Sequence, residues 1–278
     1  MERMKHKISR RAFLKGCTML AASAAAGGLT GCGTESTPDS DLPEIIAGSD
    51  LYPPYVYRDN DGVSVGIDAD IAAEAFRRMG YRVQFKTIDW EEKTTLLESG
   101  AIDCIWGCFS MDGREELYLW AGPYMMSRQV IAVNVNSSIR SLADLAGKTV
   151  AVQTTSRPEE IFLSGSDPRI PQLEEVFSIE NSSVQYAMLS CGYVDAIAAH
   201  ETAILQYMKE CNVEFRILDE TLLTTGLGVA FAEQDERGLD QQLNYMFEQM
   251  RADGTLERII GKYLEAPAQY LEVDTSET

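Results

Sequence analysis

Between residues 44 and 264, short apolar runs alternate with segments whose apolar residues recur at helical spacing. Glycine or turn residues mark most of the changes. Residues 44–48 (EIIAG) read as a strand. Asp59-Asn60-Asp61-Gly62 is a hairpin turn between 56–58 and 63–66. Ile71, Ala72, Ala75, Phe76 and Met79 share one face of a helix over 68–79, and Gly80 ends it. The same signals predict strands at 82–87, 102–106, 130–135, 148–153, 195–199 and 226–232. They predict helices at 92–98, 141–146, 183–189, 202–211, 239–251 and 255–264, with another starting at 158. Strands that alternate with helices twice over predict an α/β chain of two lobes with mainly parallel sheets. The 278 residues are enough for that. In such sheets ligands bind beyond the carboxyl ends of the strands, here between facing lobes.

The first 31 residues read as an address. Arg3, Lys5, Lys7, Arg10, Arg11 and Lys15 precede an uncharged, alanine-rich run over 16–29. That run is short of the roughly 20 apolar residues needed to span a bilayer, and it follows a basic segment as in a secretory signal. Ser9-Arg10-Arg11-Ala12-Phe13-Leu14-Lys15 resembles a twin-arginine export signal, although a general secretory signal also accommodates paired arginines. Leu29-Thr30-Gly31-Cys32 resembles a bacterial lipobox, which implies cleavage before Cys32 and lipid attachment to its sulfur. Several acyl chains hold a protein to a membrane where one is marginal. Residues 32–43 read as a small, polar tether, and 267–278 as an acidic tail.

Charge and composition exclude several functions. Lys and Arg number 24 against 43 Asp and Glu, for a formal net charge of −19. This argues against nucleic acid, whose phosphates need clustered bases. It also argues against docking of the folded part on an anionic membrane. The two histidines are His6, in the leader, and His200. Zinc sites built on two or three histidines are therefore excluded, and no cofactor is expected. Export permits disulfides. Cys104 and Cys108, however, would lie about 13 Å apart along an extended strand, beyond bridging distance. Cys191 and Cys211 could pair, but buried free thiols are the expectation for all four.

Several blocks then match the family-3 extracellular solute-binding proteins, in that family's order over 46–264. They are Ser49-Asp50-Leu51-Tyr52-Pro53-Pro54-Tyr55, Val65-Gly66-Ile67-Asp68-Ala69-Asp70-Ile71 and Leu97-Glu98-Ser99-Gly100-Ala101-Ile102-Asp103. Gly122-Pro123-Tyr124, residues 142–153 (LADLAGKTVAVQ), Gly192-Tyr193-Val194-Asp195-Ala196 and Ala252-Asp253-Gly254-Thr255 complete the set. The chain thus resembles the substrate receptors of ABC transporters for polar amino acids. The resemblance implies a two-lobed type II periplasmic-binding-protein fold, with two mainly parallel sheets joined by two crossover strands. Lobe one would hold 44–128 and 229–266, and lobe two 129–228. It also implies a non-enzymatic monomer that closes on a small solute, an amino acid or related carboxylate, and hands it to permease subunits. Its place would be the outer face of the cytoplasmic membrane, with Cys32 as the anchor.

The resemblance also places residues in the cleft. Tyr52 and Trp90 take the two aromatic positions that sandwich the ligand, a role that suits rings. The alternative is that both are core aromatics. Arg114 takes the position of the arginine that grips the α-carboxylate, in a bidentate pairing that lysine cannot reproduce. Gly107 allows close backbone approach. Phe109 stands where the family has a hydroxyl. Either Ser110 substitutes, or Phe109 forms a third apolar wall or joins the core. Asp50 in the opening loop and Gln153 before the second-lobe loop join the set. Ser156 aligns with a residue that meets the carboxylate at a helix N-terminus, a role compatible with a plain N-cap.

A further departure concerns the ammonium group of an amino acid. The family pairs it with an acidic residue five positions after the aspartate of its VDA block. This chain has His200 there, with Glu201 next. A neutral imidazole accepts a hydrogen bond but adds no negative charge. Either Glu201 rotates in, another carboxylate serves, or the ligand lacks a free α-ammonium. Contact between ligand and His200 predicts pH-sensitive affinity near the reference pKa of about 6.5. Two other functions compete with transport. One is a sensor that reports ligand to a membrane partner. The other is a cyclohexadienyl-dehydratase-like enzyme using His200 and Glu201, although neighbouring residues point apart.

Overall fold

The computed structural model describes residues 42–272. The expected signal segment, the Cys32 expected to carry lipid, most of the expected tether and the last six residues of the chain lie outside the described residues. Among the described residues no helix is long and apolar enough to cross a membrane.

The elements follow in chain order. Strand β1 (Glu44–Ser49) leads through the aromatic loop to the two-stranded hairpin of β2 (Tyr57–Arg58) and β3 (Ser64–Val65). Asp59 Oδ1 ties that turn by accepting from the N–H groups of Asp61 and Val63. Helix α1 (Ile67–Arg78), strand β4 (Arg82–Thr87), helix α2 (Lys93–Glu98) and strand β5 (Cys104–Ile105) complete the first run. The long strand β6 (Leu119–Asn134) enters the second, made of β7 (Thr149–Gln153), α3 (Arg157–Ser164), β8 (Glu175–Ile179), α4 (Ser182–Ser190), β9 (Ala196–His200) and α5 (Glu201–Cys211). Strand β10 (Phe215–Phe231) then returns to helices α6 (Leu239–Ala252) and α7 (Thr255–Ile260). The fold is the two-lobed α/β architecture expected, a mixed sheet with helices flanking it.

One eight-stranded sheet, in the order β4-β1-β5-β10-β6-β9-β7-β8, runs through both halves. Its two parallel ends, joined through the long strands β6 and β10, are the two mainly parallel sheets and two crossover strands expected. Parallel trios β4-β1-β5 and β9-β7-β8 stand at either end, and β6 and β10 form an antiparallel pair between them. That pair shifts register between Ile217 and Thr221, Thr221 and Leu223, and Leu227 and Val229. Only one end of each long strand is legible from apolar patterning. Gly122, Pro123, Ser127 and Arg128 interrupt β6, and exposed Asp219 and Glu220 interrupt β10. A strand that leaves one core, crosses a polar gap and enters another cannot keep one periodicity.

The main apolar core runs through both halves, from Trp106 and Phe247 to Leu189 and Ile197. Trp106, Tyr55 and Tyr124 are the largest fully buried side chains. A separate cluster of Ile131, Val150, Val152 and Leu145 fills the far half. Asp68, at the start of α1, is fully buried. Its carboxylate accepts from the Cys108 N–H at 2.7 Å and the Tyr124 hydroxyl at 2.8 Å. Burial pushes its pKa up to about 7. These bonds fix the turn after β5, from which Phe109 and Ser110 reach the cleft. All four described cysteines are free. Cys104 and Cys108 are buried, but Cys191 and Cys211 are exposed.

Candidate functional site

The loops after β1, β5, β7 and β9 converge where the two halves meet, around about 470 Å³ of atom-free space partly open to solvent. Every residue the sequence places in the cleft lines it, except Glu201.

Near-side residues come from the first half. Tyr52 is 5% exposed, and its backbone closes on Val56. Its ring stacks beside Tyr55 at 6.0 Å. Trp90 opens a short 3-10 turn before α2, and its ring stands edge-to-face on Phe109 at 5.3 Å. Phe109 is 2% exposed, lines the cleft and packs against Trp90, Tyr118 and Trp120. It is thus cleft wall and core residue together. The Ser110 hydroxyl accepts from Gln129 Nε2 at 3.0 Å. Gly107 has a local steric reason, since a Cβ there would stand 2.1 Å from Ser49 Oγ.

Arg114 joins the halves. One guanidinium nitrogen donates to the Ser110 carbonyl and another to the Thr155 carbonyl across the cleft, each at 3.3 Å. Its side chain is 11% exposed, and its nearest carboxylate, Glu160, stands 3.7 Å away. The guanidinium lies 5.3 Å from the Phe109 ring centroid. Desolvation holds its pKa below the usual value. A buried fork whose ion-pair partner stands at 3.7 Å and is shared with Arg157 is suited to take a closer carboxylate from a ligand.

Across the cleft, Ser156 is the N-cap of α3 and its hydroxyl accepts from the Glu159 N–H. Gln153 Nε2 donates to Asp50 Oδ2 at 2.6 Å, a direct bridge between the halves. Burial raises the Asp50 pKa to about 6, with the Gln153 bond opposing. His200 ends β9, is 7% exposed, and its Nδ1 meets Ser127 Oγ at 2.8 Å. Burial lowers its pKa from the ordinary 6.5 to about 3. Glu201 turns the other way, and both its oxygens accept from Arg128 at 3.2 Å. It therefore does not substitute for an acidic residue at position 200.

Sequence reasoning missed several cleft residues. Gln129, Thr155, Arg157 and Gln185 all line it. Lys93 closes its rim, with Nζ donating to Thr155 Oγ1 at 2.7 Å and lying 4.9 Å from the Trp90 ring centroid. Desolvation, then the neighbouring Arg114 charge, lowers the Lys93 pKa to about 8. Thr155 and Arg157 flank Ser156 in the same loop, so that loop was a usable signal. Lys93 in a short polar helix reads as a surface lysine and gave none.

Comparison with known proteins places this geometry. The family model described as bacterial extracellular solute-binding proteins, family 3, matches residues 45–266. The L-cystine-binding protein of Bacillus subtilis is 28% identical, over 76% of this chain and 77% of its own. The glutamate-binding protein of Corynebacterium glutamicum is 27% identical over 96% of both chains. An ancestral arginine-binding protein, solved bound to arginine, superimposes with a TM-score of 0.70 at 29% identity, covering 80% of this chain and 98% of its own.

Proposed function

Because the chain belongs to the bacterial extracellular solute-binding proteins of family 3, we propose that it is the receptor of an ABC transporter for an amino acid or related carboxylate. It holds the solute between lobes of about 44–128 with 229–266 and 129–228, and delivers it to permease subunits. Cys32 anchors it by lipid to the outer face of the membrane. One observation carries the reading: Arg114 is buried in the cleft and touches backbone from both halves, with no carboxylate closer than Glu160 at 3.7 Å. A carboxylate bound there contacts both halves and favours the closed form over the open one. Asp50, Tyr52, Trp90, Ser110, Gln153 and Ser156 shape the remainder of the site. Binding without catalysis fits the divergence of His200 and Glu201, which leaves no acid–base pair directed at one ligand atom.

A thermal-shift screen of amino acids and related carboxylates tests this. A ligand at 100 times its dissociation constant stabilises by about 2.7 kcal/mol. Arg114→Ala should abolish the shift, and its full retention would remove Arg114 from the site.

A further inference from the structure

We infer that the cleft accepts a carboxylate whose second polar group is an uncharged hydrogen-bond donor, an acylated nitrogen or a hydroxyl, and that Gln185 receives this group. The inference rests on the reading of Arg114 as the carboxylate grip.

Gln185 comes from α4, lines the cleft and is 1% exposed. Its Nε2 donates to the Ala151 carbonyl at 3.0 Å and the Ala198 carbonyl at 2.9 Å. Those carbonyls on β7 and β9 fix the amide's orientation, because the opposite one would set its oxygen against two oxygens. Its Oε1 is then left without a partner among the described residues. Gln129 repeats the arrangement from β6. It is 2% exposed, its Nε2 is held by Ser110, and its Oε1 is unpartnered. Buried acceptors are ordinarily matched, and a ligand donor would match these. His200 completes the wall as a neutral ring.

Charge around the cleft points the same way. Arg114 and Lys93 are buried close to one another. Arg157, also at the cleft, is taken by Asp112 at 3.1 Å and Glu160 at 2.8 Å. Asp50 is the one lining carboxylate, and it accepts from Gln153. An ammonium entering beside Arg114 would add, at a desolvation cost, a buried cation among neutral acceptors, with Asp50, already bonded to Gln153, as the one carboxylate of the lining to pair it. A neutral donor meets the same acceptors without that cost.

The test is calorimetric titration of the protein with matched ligands: an L-amino acid, its N-acetyl derivative and its α-hydroxy analogue, over several side chains. We expect the neutral forms to bind at least about tenfold tighter than the free amino acid. Gln185→Glu, of the same size, should reverse the preference. Free amino acids binding as tightly as their neutral analogues to the unmodified protein would overturn the inference, whether or not the variant folds. So would a folded Gln185→Glu variant with unchanged preference. Binding of neither class, or binding indifferent to Arg114→Ala, overturns the carboxylate-grip reading and the inference with it.

Discussion

Among the described residues, His200 has only Ser127 as a hydrogen-bond partner, and burial depresses its pKa to about 3. Its folded value lies below its ordinary one, so the neutral ring is what folding favours. The associated stability is fully present above about pH 6.5 and is lost as pH falls toward 3. Asp50 and Asp68 oppose it. Their raised values make their contribution largest at low pH, with loss as pH rises through about 6 and 7. The His200 contribution is therefore read by difference. Relative to His200→Gln, the unmodified protein should lose about 1.4 kcal/mol per pH unit below pH 6 in urea unfolding. Parallel pH profiles would show that His200 is not buried as a neutral ring. Arg114 and Trp90 were legible through the family resemblance, which assigns their positions. Gln129 and Gln185 were not, because a glutamine inside a strand or helix carries no mark of which cavity it lines.

At the scale of elements, helices were legible in place, although the one read at 141–146 is a 3-10 turn over Leu142–Leu145, while the two long strands were read at one end only. Strand β8, a half-buried edge strand, was not read at all. Helix α7 stops at Ile260, short of the 264 that its apolar spacing suggested. Turn glycines were the surest markers, and Gly66 shows why. It precedes α1 with φ of 126°, and a Cβ there would stand 2.2 Å from the Tyr55 carbonyl oxygen. Both the backbone conformation and the backbone neighbour exclude a side chain. Gly66→Ala should therefore cost at least about 2 kcal/mol in denaturant unfolding, strain and overpacking together. A loss under about 0.5 kcal/mol would contradict the local geometry.

At the scale of the molecule, the halves touch through Gln153 with Asp50, Lys93 with Thr155, and Arg157 with Asp112. The Arg157–Asp112 pair is partly exposed, at 19% and 40% of the side chains. Such pairs contribute roughly 0–1 kcal/mol. Asp112→Asn should thus weaken ligand binding by no more than about fivefold in calorimetry, by lowering the closed fraction without altering ligand preference. A hundredfold loss would place Asp112 in direct contact with ligand. Three register shifts interrupt the pairing of β6 and β10, the strands that run between the halves. A ribbon already slack at its midpoint bends there first, since flexing an interrupted ladder sacrifices fewer rungs than flexing an intact one. The parallel ends of the sheet carry no such shift and keep their shape when the ribbon flexes.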